Sequence, residues 1–280
     1  MRLGPAMIVN NYLRLRWWMP KYYWIASVMG YDTLRDREAA EVLAELLSSI
    51  DPPLTELLRI TCGRDAIVFG AGPSLDKVIS ELINLGSMEA IRRCCSLFAA
   101  DGATQALLEH GIVPDVVITD LDGDVSSIFE SGLEGSIVVV HGHGDNIGRL
   151  FKYVEELKKV TRKLVGTVQV EPKYPVMNFG GFTDGDRAVF MAEYFGARRV
   201  IMVGMDFGKV VGRRSKPWLK SDVRAWRDKL MKLKIAKELI SWLAKERSVE
   251  VLTTSKEAPQ GIKRVSPREL SDLVGGSCCG

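Results

Sequence analysis

Val116-Val117-Ile118-Thr119-Asp120-Leu121-Asp122-Gly123-Asp124 is an apolar run that breaks directly into three carboxylates within five positions. A run without polar alternation marks a strand buried on both faces, hence a mostly parallel sheet with helices on its two sides. Working outward, the same signature recurs at Ala66–Phe69, Leu97–Ala100, Ile137–Val140, Leu164–Val168 and Val200–Val203. Helical spacing fits Leu75–Leu85, Thr104–His110, Ile147–Lys159, Asp186–Phe195 and Ser221–Glu246. The expected class is therefore α/β: a mostly parallel open sheet flanked by helices, with a helical N-terminal unit and a long C-terminal helix.

The N-terminal unit is expected over residues 1–60. Asp36–Ile50 has apolar residues at helical spacing after an acidic start, and Pro52-Pro53 stops it. Trp17, Trp18, Tyr22, Tyr23 and Trp24 precede it and read as packing rather than a ligand platform, since such rings mostly serve buried area. An α/β catalytic domain is expected over 61–274, and a disordered Gly/Cys-rich tail over 275–280.

Composition narrows the class. At 46 % hydrophobic and 26 % charged, the 280 residues suit a globular protein with a proper core. No apolar stretch approaches the roughly 18 residues of a membrane span, and no signal-peptide pattern is present, so neither membrane nor export is expected. Five cysteines, including two adjacent pairs and no C-x-x-C, suit neither zinc nor a secreted disulfide framework; a reducing cytoplasm is the expectation. A net charge of +3 is too small to imply nucleic-acid binding. Its distribution says more. Asp101 to Asn146 holds nine acids and no Lys or Arg, whereas Met205 to Arg247 holds thirteen Lys/Arg against five acids. That pairing suits metal cations beside polyphosphate, although segregated charge is also common on plain surfaces.

Five strand candidates run into Gly- or Asp-rich loops, and in an open parallel sheet the carboxyl ends share one ligand-binding edge. Gly70, Gly72, Pro73 and Ser74 form a turn into a helix whose free N–H groups suit phosphate or nucleotide; a plain capped turn is the alternative. The turn lacks the third glycine of a dinucleotide fingerprint and the Gly-Lys-Ser/Thr of a P-loop. Asp120 and Asp122 point to one side of an extended backbone. With Asp124, and Asp101 from a neighbouring strand end, they form a candidate Mg²⁺ site, because crowded carboxylates repel unless a metal or proton intervenes. One of them is equally expected to cap the following helix. His141 and His143 are candidates for phosphate or nucleotide contact. Asp145 and Asn146 are candidates for reading a heterocycle edge or for capping. Thr183 and Asp186 fit a capping box, while Phe182 and Asp184 remain candidates for the substrate and Arg187 for phosphate. Lys209, Arg213, Arg214, Lys216 and Lys220 form a basic loop that suits a lid over polyphosphate, or a solvated loop. The helix beyond it reads as amphipathic core packing.

Taken in order, GAGPSL (70–75), ADGA (100–103), GIVPDVVITDLDGD (111–124), HGHGDN (141–146), GFTDGDRA (181–188) and GMDFG (204–208) resemble the archaeal 6-hydroxymethyl-7,8-dihydropterin pyrophosphokinase family over roughly residues 30–247. The acidic motif is also similar to that of thiamine pyrophosphokinases, which end in a serine where this chain has Gly123-Asp124. The resemblance implies Mg²⁺-dependent transfer of the β,γ-diphosphate of ATP to a pterin hydroxymethyl group, releasing AMP, within pterin cofactor biosynthesis. It implies two small-molecule partners (ATP and a pterin) and leaves a homodimer open; for such a transfer Asp101, Asp120, Asp122 and Arg187 are the expected catalytic residues, with Arg187 and the basic loop offsetting charge as AMP leaves. Thiamine diphosphorylation, metal-dependent nucleotide-sugar transfer and a non-catalytic nucleotide-binding module are the alternatives.

Overall fold

The computed structural model describes residues 5–278. Three helices open the chain: α1 (Pro5–Met29), α2 (Thr33–Leu46) and α3 (Leu54–Thr61). Strands and helices then alternate through β1 (Asp65–Phe69), α4 (Leu75–Asn84), α5 (Met88–Cys94), β2 (Cys95–Ala100), α6 (Ala103–Leu108), β3 (Val116–Thr119) and α7 (Val125–Leu133). The series continues with β4 (Ile137–Gly142), α8 (Ile147–Val160), β5 (Leu164–Val168), α9 (Asp184–Tyr194) and β6 (Arg199–Val203). A small antiparallel ribbon, β7 (Val210–Val211) with β8 (Val223–Arg224), precedes α10 (Arg227–Glu246), β9 (Glu250–Thr253), β10 (Lys263–Arg264) and α11 (Pro267–Cys278).

The main sheet has the order β10-β9-β6-β1-β2-β3-β4-β5, and every neighbouring pair is parallel. The six expected strands are six consecutive members of it, from β6 to the edge strand β5. Every residue of β1 to β5 is buried, as continuous apolar runs require when helices cover both faces. Since β2 lies on one side of β1 and β6 on the other, the topological switch point falls between β1 and β6. The loops after all these strands emerge along one edge.

Several expectations need correction. Strands β9 and β10 extend the sheet, although their four and two residues are too short to stand out in the sequence. Ser221–Trp226, expected to be helical, is extended, because β8 pairs back on β7 and the Ala225 amide donates to the Lys209 carbonyl at 2.9 Å. The last helix runs as far as Cys278. In α11, Leu270 and Val274 are buried, and the Ser266 amide donates to Glu269 Oε2 at 2.7 Å. Cys279 and Gly280 lie outside the described residues. Cys94 is disulfide-bonded, which the adjacent-cysteine spacing does not announce.

The N-terminal helices share the sheet's core rather than forming one of their own. Trp18, Tyr22, Ile25, Leu43 and Leu47 belong to one buried cluster with Val139, Val165 and Phe190. Trp17 stacks on Trp242 of α10 at 3.8 Å between centroids, so these rings do pack; Tyr23 and Trp24 are exposed. The Trp18 indole N–H donates to the Gln169 carbonyl at 2.8 Å, tying α1 to the end of β5. Trp18→Ala is expected to cost about 3–5 kcal/mol, read as a lower urea midpoint; an unchanged midpoint would mean α1 adds nothing to the core.

Candidate active site

Along the carboxyl edge of the sheet runs a cleft of about 520 Å³. Its floor at the switch point is made by the turns after β1 and β6. The Gly70 amide donates to the Val203 carbonyl and the Gly72 amide to the Gly204 carbonyl, both at 2.8 Å. A Cβ on Gly72 would lie 2.4 Å from the Gly204 oxygen and 2.5 Å from Asp206 Oδ2, so only glycine allows the two turns to approach this closely. Asp206 fastens them: it accepts from the Ser74 amide (2.8 Å), the Ser74 hydroxyl (3.0 Å) and the Ser255 hydroxyl (2.8 Å).

Carboxylates occupy the middle of the cleft. Asp101 follows β2, Asp120 follows β3 and Asp184 opens α9; one oxygen from each lies within 4.8 Å of the others. Asp101 and Leu121 hold φ values of +41° and +63°, a region non-glycine residues seldom adopt, and such strain concentrates at functional sites. The Thr119 hydroxyl donates to Asp101 Oδ1 at 2.7 Å and accepts from the Leu121 amide at 2.9 Å, which fixes both conformations. A Cβ on Gly123 would lie 2.0 Å from Asp101 Oδ2. Gly123 therefore serves the approach of Asp101, and not merely a turn.

The electrostatics follow from crowding. Burial, then the charges of Asp120 and Asp122, push the Asp101 carboxyl up to about 7. Burial and the same neighbours push Asp184 well above the usual carboxylate range, and Asp122 is raised by burial and by Asp120. Burial also acts on Asp120, but the hydrogen bonds and charge of its neighbours, His143 foremost, outweigh it and hold Asp120 low. His143 Nε2 lies 3.4 Å from Asp120 Oδ2. Lys216 pairs with Asp122, so a cation from a distant loop enters a segment that has none of its own.

The other sequence candidates separate into wall and framework. Gly70, Gly72, Asp101, Asp120, Asp122, His141, His143, Asp145, Phe182 and Asp184 line the cleft. Asp124 does not join the carboxylate triad: it stands at the N-cap position of α7 and accepts from the Ser126 and Ser127 hydroxyls. Pro73 and Ser74 stand behind the glycine turn. Asn146 is buried; it takes the His143 amide on Oδ1 (2.9 Å) and donates to the carbonyls of Asp120 (2.9 Å) and His141 (2.7 Å). Arg187 is fully buried behind the wall, donating toward the Phe182 carbonyl, with its Nη2 3.0 Å from His141 Nε2. Burial and the Arg187 charge hold the His141 ring well below its usual range, so it is neutral. The expected capping box of Thr183 and Asp186 is present. Lys209 is exposed outside the cleft, and Arg213 pairs with Asp76 at 2.9 Å.

The basic loop is docked rather than free. Arg214 pairs with Glu109 at 2.5 Å and Asp76 at 3.2 Å, the Ser215 hydroxyl donates to the Ala71 carbonyl at 2.9 Å, and a Cβ on Gly102 would overlap the Arg214 oxygen. The sequence reading also missed wall residues. Lys229 and Lys232 from α10 line the cleft beside Lys216, as do Tyr31 and Gln169. Burial, then the charges of Lys216 and Lys232, lower the Lys229 pKa. Their helical spacing had hidden the lysines in what read as a packing helix. Ile235, Leu239, Ile240 and Leu243 do pack, but only the later turns of α10 are fully committed to the core.

Comparison with known proteins gives consistent matches. The family profile described as 6-hydroxymethylpterin diphosphokinase MptE-like matches residues 39–212. A 6-hydroxymethyl-7,8-dihydropterin pyrophosphokinase of Pyrococcus furiosus is 42 % identical over 244 residues, covering 86 % of this chain and 100 % of that protein. The protein of the same name from Methanocaldococcus jannaschii is 41 % identical over 84 % of this chain and 98 % of its own length. Among solved structures, the MAf glycosyltransferase from Magnetospirillum magneticum AMB-1 shares the fold at a TM-score of 0.50 with 14 % identity, over 81 % of this chain and 40 % of that one.

Two outcomes are expected from the carboxylate geometry. In the folded chain Asp101 titrates near 7, against about 4 when unfolded. The folded state thus binds the extra proton between these values, and stability falls as pH rises through that window. The melting midpoint of metal-free protein should drop from pH 5 to 7.5, and Asp101→Asn should flatten the drop; an equal slope in both would contradict it. Gly123→Ser should displace Asp101 and weaken the Mg²⁺-induced rise in melting midpoint by roughly 10–100-fold in apparent affinity; a wild-type Mg²⁺ response would contradict the packing argument.

Proposed function

The chain belongs to the MptE-like 6-hydroxymethylpterin diphosphokinase family, and we propose that it is a diphosphotransferase moving the β,γ-diphosphate of ATP to 6-hydroxymethyl-7,8-dihydropterin, with Mg²⁺, to give AMP and the pterin diphosphate. The observation that carries the chemistry is the Asp101–Asp120–Asp184 triad midway along the cleft, with one carboxyl oxygen of each within 4.8 Å of the rest. Three carboxylates at this spacing, two of them pushed up by crowding, fit the all-oxygen ligand set Mg²⁺ prefers. Asp101, Asp120 and Asp184 would hold the metal. When bound, Mg²⁺ supplies charge neutralisation to phosphate oxygens.

The reaction itself forms a bond from the pterin hydroxymethyl oxygen to the β-phosphorus and breaks the bond to the α,β-bridging oxygen; AMP departs and the hydroxyl proton is lost. Such transfers rest on positioning and on offsetting charge, not on covalent participation by the protein. Lys216, held by Asp122, with Lys229 and Lys232 beside it, supplies that positive charge. The Gly70–Gly72 turn lines the cleft at the switch point, where the nucleotide would bind. Buried Arg187, behind the wall, orients the neutral His141 ring, which lines the cleft between β4 and α9.

The test is incubation of the protein with ATP, Mg²⁺ and 6-hydroxymethyl-7,8-dihydropterin, following AMP and the pterin diphosphate together. Stoichiometric formation of both is expected. Asp120→Asn should lower kcat by about 10²–10³-fold, in the range seen when one preorganised charge-stabilising group is lost. ADP in place of AMP, or equal rates with thiamine as acceptor, would contradict the assignment.

A further inference from the structure

The geometry points to Gln169 as the residue that reads the hydrogen-bonding edge of the acceptor, a planar heterocycle with amide-type N–H and C=O groups, at the β5 end of the cleft. This rests on the diphosphotransferase reading above and adds to it the place and means of acceptor recognition. Gln169 follows β5 directly, is 3 % exposed and lines the cleft. Its Oε1 is sealed from solvent and has no hydrogen-bond partner among the described residues. A buried acceptor left unmade is costly and calls for a donor.

The main chain around it is fixed. The Gln169 carbonyl accepts from Trp18 Nε1 and the Val170 carbonyl from Asn178 Nδ2, both at 2.8 Å. The side chain is thus presented from a rigid segment. A carboxamide offers one acceptor beside donors, which matches the adjacent N–H and C=O of a pterin amide edge, as carboxamides match base edges elsewhere. Gln169 is also the one carboxamide among the residues lining the cleft.

Two further observations place a flat ring here. Tyr31, from the turn between α1 and α2, and Phe182, before α9, both line the cleft with ring centroids 6.1 Å apart at 46°. Strand order then fixes the direction. The switch-point glycines end β1, the carboxylates of Asp101 and Asp120 end β2 and β3, and Gln169 ends β5. At about 4.8 Å per strand, β1 to β5 spans roughly 19 Å, enough for a nucleoside at one end, phosphates between and a bicyclic ring at the other. Two nearby polar groups are committed elsewhere: both Asp36 oxygens accept, from Gly144 N and Tyr22 Oη at 2.8 Å each, and Asn146 brackets the loop after β4.

Steady-state kinetics of Gln169→Leu test this. The pterin KM should rise roughly 10–100-fold, while the ATP KM stays within about two-fold and the melting midpoint near wild type. An unchanged pterin KM, or equal loss toward ATP and pterin, would overturn the assignment. Should Gln169→Leu not fold, the side-chain amide resonances of Gln169 in the unaltered protein, assigned by their absence in Gln169→Glu, should shift on adding 6-hydroxymethyl-7,8-dihydropterin; unmoved resonances would overturn it. A wild-type enzyme that makes no AMP with the pterin would instead sink the diphosphotransferase reading itself.

Discussion

Mutual repulsion among Asp101, Asp120 and Asp184, held within one ligand sphere at the carboxyl edge of the sheet, is the constraint around which the rest is arranged. Left alone, such a group would splay apart or take up protons. The surrounding structure prevents the first. Thr119 pins Asp101 in a left-handed conformation, Asn146 clamps the Asp120 carbonyl to the loop after β4, and the Thr183–Asp186 capping box starts α9 with Asp184 as its first residue. The second is visible in the raised pKa of Asp101 and Asp184. Stability given up here recurs as affinity for whatever cation relieves the repulsion, the usual bargain at a preorganised site.

Around that centre the sheet acts as a ruler. Parallel strands deliver their loops to one edge in spatial order, so residues far apart in sequence meet by strand position. Gly72, Asp101, Asp120, His143 and Gln169 all line the same cleft, one after each of β1 to β5. The N-terminal helices close the β5 end, and α10 with the docked basic loop closes the other side with lysines. Anionic side chains and lysines facing one cleft suit a metal-bound polyphosphate, and the Tyr31 and Phe182 rings line the same cleft.

Strands β1 to β6 were legible because burial on both faces leaves an unbroken apolar run such as Ile137–Val140. The short β9 and β10 leave no such run. The site was half legible for a similar reason. Asp101 and Asp120 announce themselves at strand ends, but whether a neighbouring carboxylate turns inward depends on tertiary packing. Asp124, open in the sequence as ligand or cap, stands at the N-cap position of α7, and Asp184, a substrate candidate, comes within the triad. The charge map suggested that no cation was near, yet Lys216 arrives from nearly a hundred residues away to meet Asp122. Gln169 carried a faint signal, a polar residue directly after a buried strand, and Lys229 carried none, because helical spacing alone cannot say which flank faces a cleft.

The most direct test of the triad is Mn²⁺ binding, as a spectroscopic substitute for Mg²⁺, to wild type, Asp184→Asn and Asp124→Asn at fixed pH. Asp184→Asn is expected to lose at least about ten-fold in affinity, with Asp124→Asn binding like wild type. The reverse order, with Asp124 essential and Asp184 dispensable, would contradict the triad and return the metal to the Asp120–Asp124 turn alone.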